Sequence, residues 1–270
     1  MAIPTLFGIV PVSDGQSTQP DSITIRIEGT TVPFTMIRCP AKSVDDKDSS
    51  TVPIKSLYVL TTEVTWDLYD IFVFKLDQPE DSSKADAVTR PSKPYIPPDR
   101  GFGHGGYPAI GMTRVAAEQF CQWVSLKTGL AMRLPTLDEW TFLAVGDSNE
   151  PYCCDVDVET LQTVAWFMEN AEHTTHPVGS RQANQFGLFD VHGNVAEWVA
   201  IDTQKPTAMG GGFRDSAKAC TATSSQQQQQ SWNISDPQIP KSKWWLADCT
   251  WVGFRFVVDA DSIKETILKE

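Results

Sequence analysis

The second half of the chain carries no sustained helical period. Glycine, asparagine, aspartate and tryptophan interrupt short apolar runs there. Such a segment cannot build its core from amphipathic faces, and the chain's nine tryptophans supply the alternative. Large indoles bury enough area to pin loops where regular elements are missing. Short strands are expected around 164–168, 197–201, 207–213 and 251–258, joined by long loops. Five consecutive glutamines, 226–230, read as one surface loop.

The first half is more regular. Residues 22–38 alternate as a hairpin around Glu28-Gly29, and SLYVLTTEV (56–64) reads as a strand. Thr65 starts a helix in TWDLYDIFVFKL, apolar nearly all round and therefore buried. Residues 78–110 form a long Pro/Gly-rich segment. A second helix starts at Thr113, buries Val115, Phe120, Trp123 and Val124, and stops at Gly129. Thr136 and Glu139 then form a T-x-x-E capping box for a short helix with Trp140, Phe142 and Leu143 inward.

At 270 residues, 41% hydrophobic, the chain can bury a sizeable core. Its net charge of −12 argues against nucleic-acid binding, which draws its affinity from Lys and Arg. No apolar run approaches ~18 residues, so membrane insertion is not expected. The start lacks a signal-peptide pattern, which fits a cytoplasmic protein or a mature extracytoplasmic form. Of the six cysteines none forms a C-x-x-C pair, and the neighbours Cys153 and Cys154 are poorly placed to bridge each other.

GLFDVHGNVAEW (187–198) sets Asp190 and Glu197 around a Gly-Asn turn. Two readings stand. The carboxylates accept hydrogen bonds from loop amides, or they cage a hard cation with backbone carbonyls. His192 suits a hard ion poorly and reads as structural. His173 and His176 have an H-x-x-H spacing, but Pro177 and the threonines argue against the helix that would use it for iron.

The blocks EVTWDLYDIF, YPAIGMTRVAAEQFCQWVSLKTGLAMRLPTLDEWTFLA, THPVGSRQANQFGLFDVHGNVAEW, MGGGF and VGFRFV occur in one order. Together, over residues 55–258, they resemble the formylglycine-generating enzyme (sulfatase-modifying factor) family. The resemblance implies a single α+β, C-type-lectin-like domain with low regular secondary structure. On this basis residues 22–262 are the domain, 1–21 a flexible N-terminal arm and 263–270 a C-terminal tail. It implies that the GGGF and GFRF segments lie in a central sheet. Arg133 of RLPT and Glu139 of DEW would be anchors tying loops together.

The resemblance also implies a calcium ion held by the Asp190 side chain, the Gly193 and Val195 carbonyls and the Glu197 side chain. The oxidase branch of the family holds Cu(I) with two cysteines five positions apart in the segment matching 210–225. Here only Cys220 is present, with Asp215 and Ser225 at the flanking positions. Neither oxygen donor replaces a thiolate for a soft ion. Copper is therefore not expected, unless Cys249 completes a pair with Cys220; those two thiols are the candidate catalytic residues. The preferred expectation is a binding or accessory module for a protein, peptide or glycan partner. Trp244, Trp245 and Tyr107 are its candidate contact residues, on the 236–251 and 90–110 loops. A copper- and O₂-dependent oxidase and a structural subunit of a larger assembly are the alternatives.

Overall fold

The computed structural model describes residues 21–42, 53–78, 89–91, 94, 96–148, 150–154, 156–200 and 205–267. The expected arm, apart from residue 21, and part of the 78–110 segment lie outside the described residues.

The alternating hairpin forms as β1 (Ser22–Arg26) and β2 (Pro33–Cys39), with Ser22 opposite Ile37 and Arg26 opposite Pro33. β3 covers only Leu57–Leu60, shorter than the expected 56–64. Beyond Leu60 the chain leaves the ladder, and Val64 N bonds Phe254 O instead. The departure carries the fully buried Glu63 toward the second half of the molecule.

The helix α1 spans Trp66–Phe74 and α2 spans Arg114–Thr128. α2 starts with the Thr113 hydroxyl accepting from Ala116 N and stops at Gly129, whose φ of 72° suits a residue without Cβ. Its buried stripe is Ala116, Phe120, Trp123 and Val124; Val115 is 45% exposed, against expectation. Val115 sits one position, roughly 100°, off that stripe. The capping box at Thr136 forms as expected and opens α3 (Leu137–Val145), with Trp140, Phe142 and Leu143 buried.

In the second half β4 is Ala196–Val199, β5 Thr207–Met209, β6 Ser225–Gln227, β7 Val252–Gly253 and β8 Val257–Asp259. Two four-stranded sheets result, ordered β1-β2-β3-β8 and β6-β5-β4-β7. Among the described strands only β4 and β7 pair in parallel, with Glu197 opposite Gly253. The expected strand at 164–168 reduces to one bridge between Trp166 and Gly193. The glutamine run is not all loop: Gln226 sits in edge strand β6, and its amide bonds Asp215 at 2.7 Å and Trp251 at 3.0 Å. The chain's final described element is helix α4 (Ala260–Ile267), where a tail was expected. Ile263 is buried, which gives that helix an apolar anchor.

The core lies between α1, α2 and the first sheet. Phe120 packs on Tyr69 at 5.3 Å and edge-on to Phe254 at 5.4 Å, and Phe34 meets Phe256 edge-on at 5.4 Å. Such pairs contribute about 0.5–1.5 kcal/mol each beyond their buried area. The segment Gly253–Phe256 crosses from the second sheet to the first, so one tetrapeptide ties both sheets to the core. Arg133 joins α3 to β8, bonding Glu139 at 2.6 and 2.8 Å and Asp259 at 2.8 Å.

Candidate functional site

The Gly-Asn turn is packed too tightly for any other residue pair to enter easily. A Cβ on Gly193 would lie 2.0 Å from the Trp166 carbonyl oxygen, and its φ is 76°. Asn194, with φ 50°, uses nearly every polar atom it has. Its N–H donates to Trp166 O at 2.7 Å, and its carbonyl accepts from Phe213 N at 2.7 Å. Its side-chain oxygen accepts from His176 N at 2.9 Å, and its amide donates to Glu63 at 3.3 Å. Four segments distant in sequence meet on this side chain and its peptide.

Glu197 projects from β4 into the interior beside Arg255. Arg255 Nε donates to both carboxylate oxygens at 2.9 and 2.7 Å, and Nη2 donates at 2.5 Å. Trp140 Nε1 is a third donor and makes a fourth hydrogen bond, at 2.8 Å. Nη2 also donates to Phe189 O at 2.8 Å, and Nη1 donates to Leu60 O at 3.4 Å. Both residues are fully buried, where an ion pair persists only with its hydrogen bonds completed.

Two further carboxyl groups stand near this pair. Glu63 accepts from Val195 N at 3.3 Å; burial, then the charges of Asp190 and Glu197, raises its pKa well above the usual range. Asp190 accepts from Gly179 N at 2.6 Å through one oxygen, and its other oxygen is buried with no partner. Burial pushes Asp190 up to about 6. The open Asp190 oxygen would suit a cation. However, Glu197 is already neutralised by Arg255, and among the described residues no three His, Cys, Asp or Glu side chains converge on a metal position. A calcium ion drawing on Asp190, Gly193, Val195 and Glu197 would share the Glu197 carboxylate with the Arg255 guanidinium.

His192 points the other way, as its imidazole chemistry suggests. Its Nε2 accepts from Cys153 N at 3.1 Å, and burial pushes its pKa down to about 4. His176 stacks on Trp166 at 3.6 Å, and His173 is exposed.

Cys220 is a buried free thiol in a small cluster with Tyr152, Cys153 and Ala217. Burial, then Asp215 and Glu169, raises its pKa far above the ordinary thiol range. Asp215, five positions before it, is committed to Gly212 N at 2.9 Å and to Gln226. Cys249 is also free, belongs to the main core, and is pushed up to about 12 by burial. With no metal beside them, burial favours the protonated form of both thiols.

The tryptophan pair divides its work. Trp244 is buried in the core under Lys243, while Trp245 is half-buried, meets Tyr69 edge-on and lines a cavity of about 330 Å³. Ile96, Pro98, Pro237 and Leu246 line the same cavity, with Arg100 and Asp236 as its charged groups. Arg100 donates to Ala247 O and joins the two walls. Ile96 is 53% exposed, and Ile239, adjacent to lining residue Gln238, is 98% exposed. Tyr107 is not among the lining residues. It covers Gly103 and accepts from Trp66 N through its carbonyl, so it shapes the loop.

That loop is fastened by His104, which lies flat on Trp66 between Asp70 at 2.8 Å and Asp99 at 2.7 Å. Burial draws His104 down, but Asp70 and then Asp99 outweigh it and raise the pKa. Sequence reasoning missed this clamp, the Arg255 pairing and the buried Glu63. The signal for the last two was present, because both residues stand inside the quoted blocks EVTWDLYDIF and VGFRFV.

Residues 11–260 match the profile of the sulfatase-modifying factor enzyme 1-like domain. Among curated proteins, the serine/threonine-protein kinase pkn1 of Chlamydia caviae is 32% identical over 97 residues, 36% of this chain and 14% of that one. The chaperone protein LppX of Paenibacillus barcinonensis is 31% identical over 83 residues, 24% of this chain and 30% of that one. The chain thus aligns with less than a third of either relative. Among solved structures, Treponema denticola variable protein 1 covers 89% of this chain and all of its own, with TM-score 0.62 and 20% identity. PvdO from Pseudomonas aeruginosa covers 86% of this chain and 97% of its own, with TM-score 0.58 and 17% identity. CarF covers 85% and 99%, with TM-score 0.58 and 18% identity. At these identities the structural likeness establishes the fold alone.

Proposed function

The chain belongs to the family of the sulfatase-modifying factor enzyme 1-like domain, and from that premise we propose that it is a non-catalytic binding or accessory module. Its ligand is a protein, peptide or glycan, and it seats in the cavity beside Trp245. The single observation carrying this reading is that cavity, with its largely apolar lining and the exposed Ile96 among the lining residues. Exposed apolar side chains around a concave site mark recognition surfaces. The lining favours a peptide segment presenting an apolar side chain over a sugar, although Trp245 serves either.

The state of the thiols supports the non-catalytic half of the proposal. The position five residues before Cys220 is Asp215, whose carboxylate is already bonded to Gly212 N and Gln226, so no second thiolate stands at the spacing a soft Cu(I) site would use. The reading does not depend on calcium, since the proposed cavity is separate from Asp190 and Glu197.

The test is a display screen of random peptides and a glycan array against the purified chain. A ligand is expected whose binding falls at least tenfold in Trp245→Ala and Ile96→Asp and is unchanged in Cys220→Ser. Binders insensitive to both cavity variants would relocate the site. Conversion of a cysteine peptide to an aldehyde with copper and air, lost in Cys220→Ser, would overturn the non-catalytic reading.

A further inference from the structure

Cys153 and Cys154 are adjacent in sequence, and their Sγ atoms stand 3.0 Å apart, the Cys154 thiol donating to Cys153. Neighbouring residues are ordinarily unsuited to bridging, because their Cα atoms are ~3.8 Å apart and most disulfides span more. Here the backbone compensates. Cys154 has φ 63°, the left-handed conformation that non-glycine residues rarely adopt, and it swings the second thiol back over the first.

The loop is held in that form from both sides. Ala222 N donates to Pro151 O at 2.9 Å, and Val156 N donates to Cys153 O at 3.2 Å. The Tyr152 hydroxyl donates to Ala217 O at 3.0 Å, and Cys153 N is bound to His192 Nε2 at 3.1 Å. The two sulfurs also differ in access: Cys153 is buried, and Cys154 is exposed. A buried resolving thiol beneath an exposed attacking one is the arrangement that thiol–disulfide exchange needs.

We propose that Cys153 and Cys154 form a redox-responsive vicinal dithiol that small-molecule disulfides oxidise to a ring-closed disulfide. The Cys154 thiolate attacks the external disulfide RSSR, forms a mixed disulfide and releases one RS⁻. The Cys153 thiol loses its proton to that thiolate or to water, and its sulfur attacks Cys154 Sγ, releasing the second RS⁻. Two S–H bonds are broken and one S–S bond is formed; RSSR is reduced to two RSH. Burial raises the Cys153 pKa, so the second step needs that thiol to lose its proton as its sulfur attacks. The site is separate from the cavity of the proposed function and does not depend on it.

The experiment treats the intact chain with oxidised glutathione, then quantifies free thiols and maps the fragment carrying both cysteines by mass spectrometry. The expected result is loss of two of the six thiols, a fragment lighter by two hydrogens, and full reversal by dithiothreitol. Cys154→Ser is the control, since an exposed position tolerates serine; its remaining thiols should stay free. A wild-type product carrying glutathione stably on Cys154, or one with all six thiols unreacted, overturns the proposal.

Discussion

Arg255 holds Glu197 through three hydrogen bonds of 2.5–2.9 Å at the point where the two sheets share a segment of chain. Removing one partner strands a buried charge. Arg255→Met is therefore expected to destabilise the fold by roughly 3–5 kcal/mol. The double variant Arg255→Met/Glu197→Gln should recover part of that loss, because the stranded charge goes too. Urea melts of wild type, Arg255→Met, Glu197→Gln and the double variant measure the coupling. The wild-type melting temperature should be unmoved by EGTA or by millimolar calcium; a clear fall in chelator would mean that a cation shares the site after all.

Asp190 gives a second expectation, with a defined sign. Its carboxyl is raised from 3.8 to about 6, because burial favours the neutral form. The corresponding stability is present in full below 3.8 and is lost as pH rises through about 6. Asp190→Asn removes this dependence, and asparagine tolerates the φ of 56° at that position. The variant should be more stable than wild type at pH 7.5 and near parity at pH 3.5. Thermal melts across that range decide it, and a variant weaker at pH 7.5 would point to a bound cation.

His104 fixes the loop that forms one wall of the cavity. Its raised pKa means that the clamp's contribution is complete below the ordinary value of 6.5 and is lost as pH rises through the folded value. A neutral imidazole has one N–H, so it cannot donate to Asp70 and Asp99 together. Amide exchange in residues 97–107, corrected for the intrinsic pH effect, should accelerate at alkaline pH. In His104→Gln the loop should be open at every pH.

Gly193 and Gly101 test whether the left-handed backbone or the crowding dominates. Gly101, with φ 84°, has nothing within 4 Å of a built Cβ, so Gly101→Ala should lose only about 1–2 kcal/mol. Gly193→Ala drives a methyl into the Trp166 carbonyl, and a loss on the order of 3–5 kcal/mol or insoluble expression is expected. Equal losses at the two positions would show that backbone conformation alone sets the requirement.

Local signals in the sequence determined local structure. The capping box at Thr136, the Gly129 stop and the hairpin alternation depend on neighbours within a few residues, and each forms where its pattern stands. The order of blocks, from EVTWDLYDIF to VGFRFV, determined the family. Side-chain partnerships were decided by the tertiary structure alone. Glu197 and Asp190 read equally well as cation ligands until Arg255, 58 positions after Glu197, arrives beside them. Cys153 and Cys154 look unpairable until a left-handed residue and the flanking bonds to Ala222 and His192 bring their sulfurs together. The difference is physical: caps and turns are short-range and written in residue type, whereas the charge and polarity a buried group meets come from chain segments whose approach no local pattern encodes.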